Sequence, residues 1–85
     1  MKIAVCDDNE NELTRIKELL DAYASCNNQN FIIKCFSSSV ELASTAEFEK
    51  YDIYILDIVM PVLSGMNLAT EIRSFDKASD IIFLI

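Results

Sequence analysis

The sequence has a single glycine and a single proline among its 85 residues. So few of these two residues exclude a collagen-like chain or a flexible linker, and no internal repeat or low-complexity segment is visible. Apolar residues make up 52% of the chain, which is a globular composition. A chain of this length forms at most one small domain, so we expect one hydrophobic core.

Cysteine patterns typical of metal sites or cross-links are also absent. The three cysteines, Cys6, Cys26 and Cys35, are odd in number and form no CxxC pair. This spacing suggests neither a zinc site nor a disulfide framework. We therefore expect reduced thiols, as is usual in the cytosol.

Long apolar runs and positive charge are scarce as well. The longest unbroken aliphatic and aromatic runs have four or five residues, and Lys2 precedes too short a stretch for a signal peptide. We therefore expect a cytoplasmic protein. Fourteen acidic and seven basic residues give a net charge of -7, which repels DNA phosphates and anionic membranes. We expect this segment to bind neither nucleic acid nor a membrane directly.

Strand and helix patterns alternate along the chain, which favours an α/β fold with a parallel sheet. Strands are expected at residues 3–6, 31–36, 53–56 and 81–85. Helices are expected at residues 10–24, from the Ser38 cap toward residue 49, and from residue 66 to between 74 and 77. Asn9 and Ser38 each precede a glutamate by three positions, the spacing of a capping box at a helix start.

Acidic residues follow directly on two of the expected strands. Asp7 and Asp8 come after the first strand, and Asp57 comes after the third. Parallel sheets bind ligands at the carboxyl ends of their strands, so three carboxylates should converge there. Like charges this close require a cation or a raised pKa, and oxygen ligands without His or Cys favour Mg²⁺. The expected chemistry is phosphoryl transfer at a carboxylate.

The acidic pair, together with Asp57, Met60, Pro61 and Gly65, resembles the receiver domain of two-component response regulators. In that family a sensor histidine kinase passes a phosphoryl group from its phosphohistidine to one aspartate. The resemblance begins at Met1 and covers the whole chain. Within the family, the opening segment and the stretch 57–65 look most like regulators with a LytTR-type DNA-binding output. The chain is thus expected to be a signalling domain that catalyses only its own phosphorylation.

The resemblance implies a role for each residue of the acidic site. Asp57 would be the phosphoacceptor, Asp8 a direct ligand of Mg²⁺, and Asp7 a ligand through water. The backbone carbonyl of Val59 would be the last Mg²⁺ ligand that the protein supplies. Val59 departs from the polar residues that many receivers carry at this position. The simpler explanations are a loop or capping carboxylate for Asp57 and solvated loop charge for the pair.

The resemblance also implies a fold, the flavodoxin-like (CheY-like) doubly wound parallel sheet. Only four strands, in the order 2-1-3-4, would be present, and the fifth strand and last two helices would be missing. After Ile85 the family continues with a Ser or Thr, a fourth helix, a fifth strand ending in Lys, and a fifth helix. We therefore expect residues 1–85 to be the N-terminal part of a receiver, without its effector domain. The fourth strand would then be an exposed edge, which predicts a homo-oligomer.

Several other residues are assigned structural roles. Pro61 should end the third strand and hold the loop after Asp57, and Gly65 should take a backbone conformation closed to other residues. Four apolar side chains are expected to fill the core: Met60, Met66, Phe48 and Phe75. Two acids should favour the start of the first helix rather than extend the metal site: Glu10 and Glu12.

Two alternative functions remain open from the sequence. The first is a non-phosphorylated, receiver-like module for interaction or dimerisation. The second is a hydrolase of the haloacid dehalogenase type, which also uses an Asp nucleophile and Mg²⁺. That class carries a second Asp two residues after the first, whereas position 59 here is Val.

Overall fold

The structure is a computed structural model that describes all 85 residues. Four strands alternate with three helices along the chain. In chain order the elements are β1 (Lys2–Cys6), α1 (Glu10–Cys26), β2 (Ile32–Phe36), α2 (Ser39–Ala46), β3 (Ile53–Asp57), α3 (Gly65–Arg73) and β4 (Asp80–Leu84). The predicted alternation is confirmed, and the element ends lie at most four residues from the predicted ones.

The four strands form one parallel sheet in the order β2-β1-β3-β4. Ile3 of β1 pairs with Ile33 on one side and with Ile53 on the other. β4 pairs only with β3, beginning at Ile53 and Asp80. Because all strands run the same way, their carboxyl ends meet at one edge of the sheet.

Each face of the sheet is covered by helices, because its strands are apolar on both faces. On one face, α1 contributes Leu13 and Ile16 to a cluster with Ile3, Val5 and Ile55. On the other, α2 and α3 pack over a larger cluster: Ala4, Cys6, Phe36, Leu42, Ala46, Tyr51, Tyr54, Leu56, Met60, Leu68 and Ile72. The sheet is therefore doubly wound, as predicted.

The three helices begin at side-chain caps. The Asn9 side chain accepts hydrogen bonds from the backbone N–H groups of Asn11 and Glu12, and the Ser38 side chain accepts one from Glu41. Both caps were predicted from the sequence. A third cap, in which Ser64 accepts from Asn67, starts α3 directly behind the loop that follows β3. None of the helices is long and apolar enough to span a membrane.

Three of the four predicted core side chains are not buried. Met60 is 8% exposed, but Phe48 is 87%, Met66 55% and Phe75 38% exposed. Phe48 was placed in the core because the second helix was expected to run toward residue 49, whereas α2 ends at Ala46. Phe48 therefore lies in the following turn. Met66 lies on the outer side of α3, in a groove beside Ile81 and Phe83 of β4.

Candidate metal and phosphoacceptor site

Three carboxylates meet at the carboxyl ends of the two central strands. Asp7 and Asp8 follow the last residue of β1, and Asp57 is the last residue of β3. One oxygen from each lies within 4.8 Å of the others. Asp7 is buried, Asp57 is half-buried and Asp8 is exposed. The structure thus brings together the three acids that the sequence predicted.

Hydrogen bonds to the local backbone orient two of these carboxylates. Asp7 Oδ1 accepts from the Asn9 N–H at 2.9 Å, and Asp57 Oδ1 accepts from the Val59 N–H at 3.3 Å. The Asp8 carboxylate accepts no hydrogen bond from the protein. All four ion pairs of the chain lie elsewhere. The cluster therefore carries negative charge that no Lys or Arg offsets.

The crowding of acids is reflected in the titration of Asp7. Burial is the main reason that the pKa of this carboxyl is raised, and the nearby charges of Asp57 and Asp8 raise it further. The Asn9 hydrogen bond acts in the opposite direction. Ionised Asp7 is thus disfavoured by its surroundings, and a bound cation would relieve this.

A buried sulfur contact lies beside the acids. The Cys6 thiol donates to Met60 Sδ at 3.5 Å. Burial, followed by the charges of Asp7, Asp57 and Asp8, raises the pKa of Cys6 to about 12. The thiol therefore stays protonated at neutral pH and is not available as a soft metal ligand. This contact was not predictable from the sequence, because the two residues are 54 positions apart in the chain and each resembles an ordinary core residue.

The loop between β3 and α3 has an unusual backbone at Val62. Val62 has φ 68, and the Leu63 N–H donates to the Pro61 carbonyl at 2.7 Å across it, which is a γ-turn. A positive φ is rare for a β-branched residue. The special backbone conformation was expected at Gly65 instead, and this prediction was wrong. Gly65 does not have a positive φ, and a different constraint requires it to be glycine.

Val59 and three serines around the start of α2 lie beside the acids. Val59 is 80% exposed and contributes its N–H to Asp57, as described above. A cavity of about 120 Å³ adjoins Asp8 between the β3–α3 loop and the start of α2. Its lining residues are Asp8, Ser37, Ser38, Ser39, Val40, Met60, Pro61 and Val62. The sequence identified Ser38 as a helix cap but gave no signal that these serines face the acidic site.

The two acids at the start of α1 do not join the carboxylate cluster. Glu10 and Glu12 lie in the first turn of the helix, where negative charge favours the macrodipole. Glu12 also pairs with Arg15 at 2.8 Å. Their predicted role at the helix start fits this placement.

Comparison with known proteins identifies the family. The model for the response regulator receiver domain matches residues 3–85. The chain therefore belongs to the response regulator receiver domain family. This is a family of signalling domains that interact with sensor histidine kinases and bind Mg²⁺ at their acidic site.

The curated relatives are longer regulators. The chain is 30% identical over 89 residues to transcriptional regulatory protein RprY of Bacteroides fragilis, covering 99% of this chain and 33% of that protein. It is 51% identical over 39 residues to transcription factor SKN7 of Candida albicans, covering 46% of this chain and 7% of that protein. The chain thus spans one third or less of the length of these relatives.

Solved structures confirm the predicted fold. A response regulator receiver domain protein from Clostridium thermocellum superposes with a TM-score of 0.80 at 33% identity, covering 96% of this chain and 62% of that chain. The receiver domain of a sensor histidine kinase from Pseudomonas aeruginosa PAO1 gives a TM-score of 0.84 at 24% identity, covering 99% and 66%. That protein was solved with a magnesium ion coordinated in its active site cleft.

Proposed function

We propose that the chain accepts a phosphoryl group on Asp57 from a sensor histidine kinase, with Mg²⁺ held at the acidic site. The observation that carries this proposal is the convergence of three unpaired carboxylates within 4.8 Å at the ends of β1 and β3. Of the three acids, only Asp57 is half-buried. It ends β3 and is followed by the loop that contains Met60 and Pro61. It is therefore accessible to a donor yet held by the sheet.

The donor set fits a hard divalent cation. Three carboxylates offer oxygen ligands only, which Mg²⁺ prefers, and no basic side chain competes for them. Asp8 and Asp57 would hold the ion directly, Asp7 through water, and Val59 through its backbone carbonyl. When bound, the ion supplies positive charge that offsets the charge on the transferring phosphoryl oxygens.

The transfer itself needs little more than a positioned nucleophile. A carboxylate oxygen of Asp57 forms a bond to phosphorus while the bond from phosphorus to the donor's leaving group breaks, and the leaving group takes that electron pair. The hydrogen bond from the Val59 N–H to Asp57 Oδ1 fixes the orientation of the carboxylate. Catalysis is thus mainly positioning, and the domain is its own substrate.

Phosphorylation by acetyl phosphate with Mg²⁺, followed by intact-protein mass spectrometry, tests this proposal on the protein at the full length that its gene encodes. The wild type and the exposed control Glu47→Gln should each gain one phosphoryl group, and Asp57→Asn should gain none. Undiminished labelling of Asp57→Asn would refute the assignment. A folded wild type that stays unlabelled would favour the non-phosphorylated interaction module, and continuous turnover of phosphate esters would favour a hydrolase.

Mg²⁺ binding is tested separately by calorimetric titration. Asp8→Ala should bind Mg²⁺ much more weakly than the wild type, because it loses a direct ligand. Glu47→Ala, which removes an acid outside the cluster, should keep the wild-type affinity. If Asp8→Ala and Glu47→Ala bound Mg²⁺ with the same affinity, the proposed Mg²⁺ site at Asp8 would be excluded.

We also propose that phosphorylation controls a transcriptional output. Residues 1–85 would be the N-terminal part of the receiver, with a LytTR-type DNA-binding domain outside them. Support comes from the resemblance of the opening segment and of residues 57–65, and from the name and greater length of RprY, a transcriptional regulator. The negative charge of this segment favours an output that binds DNA through another domain.

Finally, we propose that the 85-residue chain self-associates through β4. The outer edge of β4 has no strand partner, and Ile82 is 50% exposed. The only charge of β4 is Asp80, its first residue, so residues 81–84 carry none that would oppose pairing with a second copy. A two-fold pairing of β4 edges would leave the acidic site open at the strand ends.

A further inference from the structure

The contact between Cys6 and Met60 joins the two segments that carry the acidic site. Cys6 is the last residue of β1 and immediately precedes Asp7, while Met60 follows Asp57 in the β3–α3 loop. Cys6 is fully buried, Met60 is 8% exposed, and their sulfur atoms are 3.5 Å apart. The buried contact therefore links the segment that carries Asp7 and Asp8 to the segment that carries Asp57.

No other hydrogen bond joins residues 6–9 to residues 58–64. The β1–β3 ladder ends at the pair Cys6 and Leu56, before the carboxylates begin. Beyond it, the Asp7 N–H donates to Phe36 of β2, which holds the Asp7 backbone to the opposite neighbour of β1.

The loop after Asp57 is likewise held to other elements. The Gly65 N–H donates to the Ile58 carbonyl at 2.9 Å, and the Ser39 hydroxyl donates to the Pro61 carbonyl at 3.4 Å. These bonds tie the loop to α3 and α2, not to β1. Above the ladder, the sulfur contact of Cys6 with Met60 is therefore the one hydrogen bond that joins the two carboxylate-bearing segments.

We propose that Cys6 and Met60 are positioning residues, whose sulfur contact sets the spacing between the Asp7–Asp8 pair and the Asp57 loop and so sets the affinity for Mg²⁺. This inference rests on the proposed function, in which the three carboxylates hold the ion. Mg²⁺ requires near-ideal octahedral geometry, so a small shift of one segment weakens binding. Partners that orient metal ligands typically alter affinity about tenfold or more when they are replaced.

The test compares Cys6→Ala, Met60→Leu and the double variant. Met60→Leu conserves volume and so keeps the core filled while it removes the sulfur. Mg²⁺ affinity is measured by calorimetry on the folded protein, and the free energy of unfolding by urea titration without Mg²⁺. Matched controls are Cys35→Ala and Met66→Leu, which replace an exposed thiol and an exposed thioether.

A further control separates positioning from general stability. Ile16→Val creates a small defect in the core cluster under α1, away from the acidic site. It should lower stability and leave the Mg²⁺ dissociation constant unchanged. Any loss of affinity seen only in the Cys6 and Met60 variants is then not a consequence of a weaker fold.

We expect each single variant to bind Mg²⁺ roughly tenfold more weakly, and the double variant no more weakly than either. Wild-type Mg²⁺ affinity in Met60→Leu, with or without a loss of stability, would overturn the inference, whether or not Cys6→Ala folds. Additive losses in the double variant would also overturn it, because the two residues would then act separately. Both results leave the proposed function intact, whereas a wild type that binds no Mg²⁺ would overturn both.

Discussion

Gly65 lies directly against the backbone of Asp57. A Cβ atom at position 65 would overlap the Asp57 carbonyl oxygen and would lie 2.9 Å from the carbonyl carbon and 3.0 Å from Ile58 Cα. These are backbone atoms, so they cannot move aside as the end of a flexible side chain could. The start of α3 is therefore held against the end of β3 that carries the proposed phosphoacceptor.

Replacing Gly65 with Ala should consequently damage both stability and the acidic site. We expect the free energy of unfolding to fall by about 2 kcal/mol, a typical cost of overpacking, as measured by urea titration. Mg²⁺ affinity should fall as well, because the clash displaces Asp57. Asn67→Ala, at an exposed position in the same helical turn, should stay within about 0.5 kcal/mol of the wild type. If Gly65→Ala and Asn67→Ala were equally stable, the close contact with the Asp57 backbone would not require glycine at position 65.

Local patterns in the sequence were sufficient to predict most of the fold. Short apolar runs identified all four strands, and side chains at Asn9 and Ser38 identified two helix starts. The end of the second helix was not predictable in the same way, because no strong stop signal follows Ala46. The error placed Phe48 in the core, although it is almost fully exposed.

The site was predictable only in part. Asp7, Asp8 and Asp57 could be placed together because the carboxyl ends of neighbouring parallel strands meet. The reason for glycine at position 65 was not accessible, since it depends on how closely α3 approaches β3. The positive φ of Val62 was likewise not predicted, because nothing in a β-branched residue indicates it.

Neutralising Asp7 should stabilise the protein in the absence of Mg²⁺. The folded-state pKa of this carboxyl is raised, mainly by burial, so its protonated form is favoured by folding. That stabilisation is fully present below the unfolded pKa and is lost as the pH rises through the folded pKa. At pH 7 ionised Asp7 therefore destabilises the fold, and Asp7→Asn should raise the free energy of unfolding by about 1 kcal/mol.

Urea titrations across pH check this expectation. The Asp7→Asn variant keeps an oxygen that can accept the Asn9 hydrogen bond, so the comparison isolates the charge. The advantage of the variant should shrink in acid, where wild-type Asp7 is protonated, and in saturating Mg²⁺, which stabilises the wild type by binding. Glu47→Gln, an exposed acid, should show no such gain. A variant less stable than the wild type at pH 7 without Mg²⁺ would contradict the argument.

Glu49 should contribute stability that is lost in strong acid. Its carboxylate accepts hydrogen bonds from Lys34 at 2.7 and 3.0 Å, from the Tyr51 hydroxyl at 3.0 Å and from Lys2 at 3.3 Å. These contacts, Lys34 foremost, lower the pKa of Glu49 from 4.5 to about 2. A lowered folded pKa gives stability that is present above the unfolded value and lost as the pH falls through the folded one.

The predicted window therefore runs from pH 4.5 down to about 2. Wild-type stability should decline across it, and Glu49→Gln should decline less, as followed by thermal unfolding at closely spaced pH values. The difference should diminish in high salt, because the cluster is partly exposed and its charges are screened. Parallel pH curves for the wild type and Glu49→Gln would exclude this role, and Glu47→Gln serves as the matched surface control.

A charge on the outer strand β4 should prevent self-association. Ile82 on β4 and Ile32 on β2 lie on opposite edge strands of the sheet and are 50% and 57% exposed. The two edges differ in where their charge lies, because β2 carries Lys34 at its centre, whereas the only charge of β4 is Asp80, its first residue. A charged side chain on an edge strand opposes pairing with another chain, so β4 is the edge that favours a second copy.

Sedimentation of the 85-residue chain at micromolar concentration checks this prediction. The wild type and the matched control Ile32→Lys should sediment as dimers or larger species, and Ile82→Lys should sediment as a folded monomer of 9.6 kDa. If Ile32→Lys alone dissociated the assembly, the contact would lie at β2 instead. A folded wild-type monomer would show that the free β4 edge is tolerated in solution, because unpaired backbone groups there are then satisfied by water.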